Sequence, residues 1–220
     1  METTEFLHGL PLFQRLDESA VMEISRLAQR RSYASGELIG LEGEPCDIVY
    51  FVAQGWVKVY KLSLEGREQV LTRLGPGDSL YLVPAFDGGP NPASAEALTE
   101  ATLYAFRRED FLWILRHHPQ VTLTVLRDLA AKLRHLTVLV EDLSLRTVEG
   151  RLAKLLLNLA AEGNVAPRRM TQQEMAAQLG TVREVVGRAL VELERNGLIR
   201  KERHRIVIVD RIGLEAKAML

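Results

Sequence analysis

The sequence predicts an α+β chain in three parts: a roll of short antiparallel strands, one long helix, and a C-terminal pair of helices with a hairpin. Three observations predict it. From Tyr33 to Phe106, short apolar runs alternate with Gly36, Gly43, Gly55, Gly66, Gly75 and Gly77 at roughly strand-plus-turn intervals. Leu126, Leu129, Leu133, Leu136, Val140 and Leu143 then recur three and four residues apart, a heptad seam. Last, Thr171-Gln172-Gln173-Glu174 spells a capping box, and the helix it opens runs to Gly180, a residue suited to a left-handed C-terminal turn.

A length of 220 residues fits two modest domains with a substantial core. The expected divisions are 1–118 for the roll, 119–146 for the long helix and hinge, and 147–220 for the C-terminal domain. The net charge of −1 conceals an asymmetry. Residues 168–220 hold 11 Lys and Arg against 7 Asp and Glu, whereas the rest holds 17 against 22. An acidic front and a basic back suit a sensor joined to a nucleic-acid reader. Cys46 is the only cysteine, so neither an intramolecular disulfide nor a cysteine-ligated iron–sulfur cluster is expected. His8, His117, His118, His135 and His204 are scattered, so no metal or haem site is expected either. The opening METTEFLHGLPLF lacks the pattern of a signal peptide. No apolar run reaches the ~18 residues that cross a bilayer. A cytoplasmic protein with no membrane partner is the expectation. No Ser-His-Asp set, carboxylate pair or phosphate loop stands out, so no catalytic residues are assigned and no enzyme is expected.

Taken in order, Phe6 to Leu16 is apolar at irregular spacing, and Leu16-Asp17-Glu18 opens a helix with a stripe of Val21, Ile24, Leu27 and Ala28. Ile48 to Val52 is a fully apolar strand, and Trp56 to Tyr60 alternates, leaving one wet face. Gln69 to Leu74 and Ala101 to Phe106 are further strands. Many short strands with glycine turns argue for a jelly roll or barrel. The segment GGPNPASAEA reads as a loop, either closing a pocket or lying plainly on the surface. Arg107 to His117 is a short helix, and Pro119 starts the long one, which runs to about Leu143. Its seam predicts a parallel homodimer, with Val125, Val138 and Leu139 turned toward the roll. Thr147 caps a helix over Val148 to Glu162.

After Gly180 a second helix spans about Val182 to Asn196, with a stripe of Val185, Val186, Ala189, Leu190 and Leu193. Two helices joined by a tight glycine turn make a helix-turn-helix, whose second helix enters the DNA major groove. Its exposed face carries Arg183, Glu184 and Arg188. Arginine pairs bidentately with guanine, and glutamate accepts from the cytosine amino group. The plainer reading is a surface ion pair between Glu184 and Arg188. Leu198 to Arg200 and Arg205 to Val209 form a hairpin wing, whose basic turn holds Arg203. Thr171, Gln172, Arg183, Glu184, Arg188 and Arg203 are the candidate DNA contacts.

TQQEMAAQLGTVREVVGRAL resembles the DNA-binding motif of the Crp/Fnr family of bacterial transcription regulators, whose R-E-x-x-x-R core falls on Arg183, Glu184 and Arg188. Thr181 joins the candidate DNA contacts only through this family resemblance. The resemblance covers nearly the whole chain. LPLFQRLDESAVMEISRLAQRRSY resembles the family's lead-in helix. GEPCDIVYFVAQGWVKVYK followed by LGPGDS resembles the β-roll of cyclic-nucleotide-binding domains, and TVEGRLAKLLLNLAAEG the first helix of the winged domain. The resemblance implies double-stranded DNA, a second copy of the chain and RNA polymerase as partners. It also implies a dimer through the long helix.

Nucleotide-binding members of the family carry a Gly-Glu pair and then an Arg-Ser pair in the roll. Here the first pair falls on Tyr81 and Leu82, and the arginine on Ala93 (or Pro92). A Thr-Ser pair on the long helix falls on Leu136 and Thr137. From Leu74 to Phe106 there is no Lys or Arg. A buried phosphate without a paired cation is strongly disfavoured, so cyclic AMP is not expected as a cofactor. Tyr81, Leu82, Val83, Ala93, Ser94 and Thr137 remain candidates for the lining of a small-molecule effector pocket, with ordinary core as the alternative. The sequence does not name the signal. An effector-binding module whose winged domain binds a protein partner is the competing function.

Overall fold

The computed structural model describes residues 3–161, 170–202 and 205–219. The chain divides into two compact units. One comprises Met1–Lys61 with Leu71–His135, the other Leu62–Val70 with Leu136–Leu220.

The first unit opens with α1 (Thr3–Gly9) and α2 (Glu18–Ser25). Asp17 caps α2: its carboxylate accepts from the Ala20 amide at 2.8 Å and the Ser19 hydroxyl at 2.7 Å. These bonds, the backbone one first, hold it below the usual carboxylate range. Leu27 and Ala28 lie beyond the end of α2 yet still pack against the core. Gln29–Tyr33 is not a continuation of the lead-in helix. It is strand β1, paired antiparallel with residues 101–105.

Then come β2 (Leu38–Gly40), β3 (Ile48–Gln54), β4 (Val57–Leu62), β5 (Glu68–Leu74), β6 (Ser79–Leu80), α3 (Leu82–Asp87), β7 (Ser94–Ala97), β8 (Ala101–Arg107) and α4 (Arg108–His117). The long helix α5 spans Pro119–Leu145. The strands form two four-stranded sheets, ordered β1-β8-β3-β6 and β2-β7-β4-β5. The segment expected as a loop after Gly88 therefore contains an internal strand, β7. Its small side chains are mostly buried, and it pairs with both β2 and β4. Between β3 and β4, Gly55 has φ +84°, and a Cβ there would lie 2.3 Å from the Glu100 carbonyl oxygen. Only glycine fits that turn.

The period-2 geometry of a strand splits the apolar run of β3 between two cores. Val49 and Phe51 join Tyr104 and Phe106 of β8 in a core against α1, α2, α3, α4 and the start of α5. Tyr50 and Val52 point the other way, with Leu103, Ala105, Val57 and Leu74, into the space between the sheets. Each such side chain, fully buried, stabilises by about 1.5–3 kcal/mol. Within this unit α5 is fastened to the roll by buried Val121 and Val125 and by polar bonds. Ser79 donates to Asp128 at 2.7 Å, and Lys132 reaches both, at 2.9 and 2.6 Å.

The second unit contains α6 (Val148–Ala161), α7 (Gln172–Leu179), α8 (Arg183–Arg195), β9 (Ile199–Glu202), β10 (Arg205–Ile208) and α9 (Arg211–Ala218). Thr147 caps α6 by accepting from the Gly150 amide at 3.1 Å. The core joins Leu152 and Leu156 of α6, Met175 and Leu179 of α7, Val186, Leu190 and Leu193 of α8, Ile199 and Leu214. At the hinge, Asp142 pairs with Arg146 at 2.7 Å and Lys154 at 2.6 Å.

Candidate functional site

The helix-turn-helix is built by local chemistry. Thr171 Oγ1 accepts from the Glu174 amide at 3.1 Å, and the Glu174 carboxylate accepts from the Thr171 amide at 2.6 Å. This is the reciprocal capping box expected from T-Q-Q-E. Gly180 closes α7 at φ +65°, its amide donating to the Ala176 carbonyl. A Cβ at Gly180 would lie 3.0 Å from Leu143 Cδ2, so the turn leaves no room for a side chain there. Val182 then begins α8 with no side-chain cap, leaving the positive end of a 13-residue helix open to an anion.

On α8, Val186, Ala189, Leu190 and Leu193 are buried, which turns Arg183, Glu184 and Arg188 outward. None of these three side chains forms a hydrogen bond or ion pair among the described residues, so the Glu184–Arg188 pair is not formed. Thr171 and Gln172 are exposed and Thr181 is half-buried. Gln172 Oε1 would lie 3.6 Å from a Cβ at Gly187, so the start of α7 reaches the middle of α8.

The wing differs. Glu202 binds Arg205 at 2.6 Å and Arg200 at 3.1 Å, and Lys201 pairs with Glu194 at 3.0 Å. Arg205 first, then Arg200, holds the Glu202 carboxyl below its ordinary range. The wing's described cations are thus committed to carboxylates, as is Arg195 at the end of α8 with Glu192 at 2.6 Å, whereas Arg183 and Arg188 are not. Arg203 lies outside the described residues.

Along α5 the expected seam is largely open. Leu126, Leu133, Leu136, Val140 and Leu143 are 36–68% exposed. Leu129 instead packs against the helical core of the first unit. Val125 faces that core as expected, but Val138 is exposed.

The expected effector residues separate. Tyr81, Leu82, Ala93 and Ser94 are buried. Val83 does not line an interior: α3 begins at Leu82, and helical spacing sends Leu82 and Ala85 inward but Val83 and Phe86 outward. Thr137 is exposed on α5. An open depression of about 580 Å³, which the sequence did not suggest, is lined by Gln29, Arg31, Asp47, Arg107, Arg108 and Glu109. Its charges are mixed, and all three arginines are engaged, Arg107 with Glu109 at 3.9 Å. Arg31 donates to the Tyr50 hydroxyl at 3.0 Å and Arg108 to the Ala85 carbonyl at 2.9 Å. Burial pushes the Cys46 thiol up, which disfavours the reactive thiolate. Among the described residues no cluster of His, Cys, Asp and Glu could hold a metal, and no helix is long and apolar enough to cross a membrane.

Comparison with known proteins matches residues 30–118 to the cyclic nucleotide-binding domain and residues 150–217 to the Crp-like helix-turn-helix domain. A CRP-like cAMP-activated global transcriptional regulator of Mycobacterium tuberculosis is 33% identical over 97% of this chain and 99% of its own. The cyclic AMP receptor protein of Thermus thermophilus is 34% identical over 88% and 90%. The solved structure of FixK2 from Bradyrhizobium japonicum superposes with a TM-score of 0.71 at 29% identity, covering 86% of this chain and 96% of that one.

Proposed function

Since the chain belongs to the Crp/Fnr family of bacterial transcription regulators, we propose that it acts as a homodimer on a near-palindromic promoter site, reading bases with Arg183, Glu184 and Arg188. The observation that carries this reading is the face of α8, where three exposed, unengaged polar side chains lie within its first two turns. Recognition helices present N-terminal residues to base edges. The uncapped start of α8 suits a backbone phosphate, and the exposed Thr171 and Gln172 at the start of α7 are further candidate contacts. The exposed seam of α5 supports a parallel dimer, which sets two recognition helices about one DNA turn apart, roughly 34–36 Å. RNA polymerase is the expected protein partner of the bound dimer.

Selection from random duplexes tests this. The wild type is expected to yield a near-palindrome with a G·C-containing, TGTGA-like half-site. Arg188→Ala should lose preference at one base pair per half-site, a cost of about 1–3 kcal/mol. An unchanged preference, or a consensus without two-fold symmetry, would remove Arg188 from base reading.

The two relatives named for cyclic AMP raise the question of that ligand here. Buried Leu82 and Ala93 stand where the resemblance places a carboxylate and a guanidinium, so the phosphate and ribose of the nucleotide lose their charged partners. Calorimetric titration with cyclic AMP is expected to show no binding at physiological concentrations. A micromolar constant would reverse this reading.

A further inference from the structure

Tyr81 is the only non-glycine residue with positive φ among the described residues (φ +63°, ψ +37°). A bulky side chain rarely adopts that left-handed conformation, and it persists only where the surroundings impose it. Here it lets consecutive residues enter different cores. Tyr81 points between the two sheets, and Leu82 points into the helical core.

The place Tyr81 enters is shaped for it. Its hydroxyl lies between the carbonyl oxygens of Gly40 on β2 (3.1 Å) and Ala93 beside β7 (3.4 Å), donating to one at a time. Its ring meets Tyr50 edge-on, with centroids 6.3 Å apart. Gly40 makes the room: a Cβ there would lie 2.9 Å from the Tyr81 hydroxyl. Ala95 and Ala97 of β7 and Ala105 of β8 add little bulk to the same cluster. Burial raises the hydroxyl's pKa well above its ordinary value, so the phenol stays a donor.

We propose that Tyr81 is a built-in occupant of the roll, whose phenol fills the interior space and closes it to a diffusible ligand. The consequence for regulation, DNA binding that needs no small molecule in the roll, rests on the function proposed above. The occupancy itself rests only on the fold.

Tyr81→Gly tests it, because glycine accepts the left-handed backbone without strain and only the ring is lost. The ring removed is a p-cresol, and apolar cavities of about this size take small aromatic molecules. The variant is expected to melt roughly 5–15 °C below the wild type. p-Cresol at ten times its Kd should raise that melting point by about 3 °C or more. Toluene, lacking the hydroxyl, should do less, and the wild type should respond to neither. Equal stabilisation of wild type and variant would overturn the proposal, as would a variant that p-cresol never stabilises. Should Tyr81→Gly fail to fold, nitration of the native wild type decides. Tyr81 is expected to stay unmodified, and modification at the rate of the unfolded chain would refute its burial as a fixed occupant. Wild type stripped by unfolding and refolding should bind its duplex as before. Binding lost on stripping alone would overturn ligand-free DNA binding; if the unstripped wild type binds no duplex either, the DNA reading fails, and the melting and nitration results still judge the occupancy.

Discussion

The Leu133→Glu variant is expected to sediment as a monomer. Leu133 is 68% exposed in the middle of the α5 seam, between Leu126 and Val140, at 55% and 62%. Exposed leucines at heptad spacing are unfavourable in water and favourable against a second copy of the same helix. In a parallel pair, position 133 would meet itself across the two-fold axis, so the substitution would bury two like charges against each other. Losing the dimer removes the linkage between two half-site contacts, which is worth about 10²–10⁴ in affinity. Leu133→Ala serves as the control: it shortens the side chain without adding charge and should weaken the dimer far less. Analytical ultracentrifugation checks both variants. A Leu133→Glu protein that still sedimented as a dimer would place the interface elsewhere.

Leu193→Ala is expected to give the opposite pattern. Leu193 is fully buried, in the core that α8 shares with α6, α7 and β9. Truncating such a leucine costs about 2–5 kcal/mol, through lost transfer energy and the cavity left behind. The C-terminal unit has its own core, so its melting should fall by roughly 5–15 °C while the first unit keeps its transition. The variant should still sediment as a dimer. Its DNA affinity should drop steeply as the temperature approaches the lowered transition. Differential scanning calorimetry with parallel sedimentation checks this, and a dimer lost together with the transition would show that the two properties are not separable.

What could be read from the sequence was what short-range chemistry decides. The capping box at Thr171, the turn at Gly180 and the stripe of α8 are set by residues within a few positions of each other, and each appears as expected. The heptad spacing in α5 was equally legible. The roll was harder, because its strands are made by partners far along the chain. β1 is polar and arginine-rich and reads as the tail of a helix, yet pairing with β8 makes it a strand. β7 is built of Ser, Ala and Glu next to a Gly- and Pro-rich stretch, and no local preference marks it. α3 is only six residues long with Pro84 near its start, where the missing amide costs little, so no helical period marks it. Val83 reads as a pocket residue only while that helix is unmarked. The strained backbone of Tyr81 has no local signature, since nothing in D-S-L-Y-L-V demands a left-handed residue.

Strands β3 and β8 occupy the two central places of their sheet, and both of their faces are covered. Val49 nevertheless pairs with Phe106 and Ile48 with Arg107. The best-shielded amides of the roll therefore depend on a closure spanning more than fifty residues, which makes folding slower than local pairing would. During synthesis β3 emerges well before its partner. Until β8 follows, the run from Ile48 to Val52 has both apolar faces and an unpaired edge open to other chains, so the growing polypeptide is most prone to aggregation between those two moments.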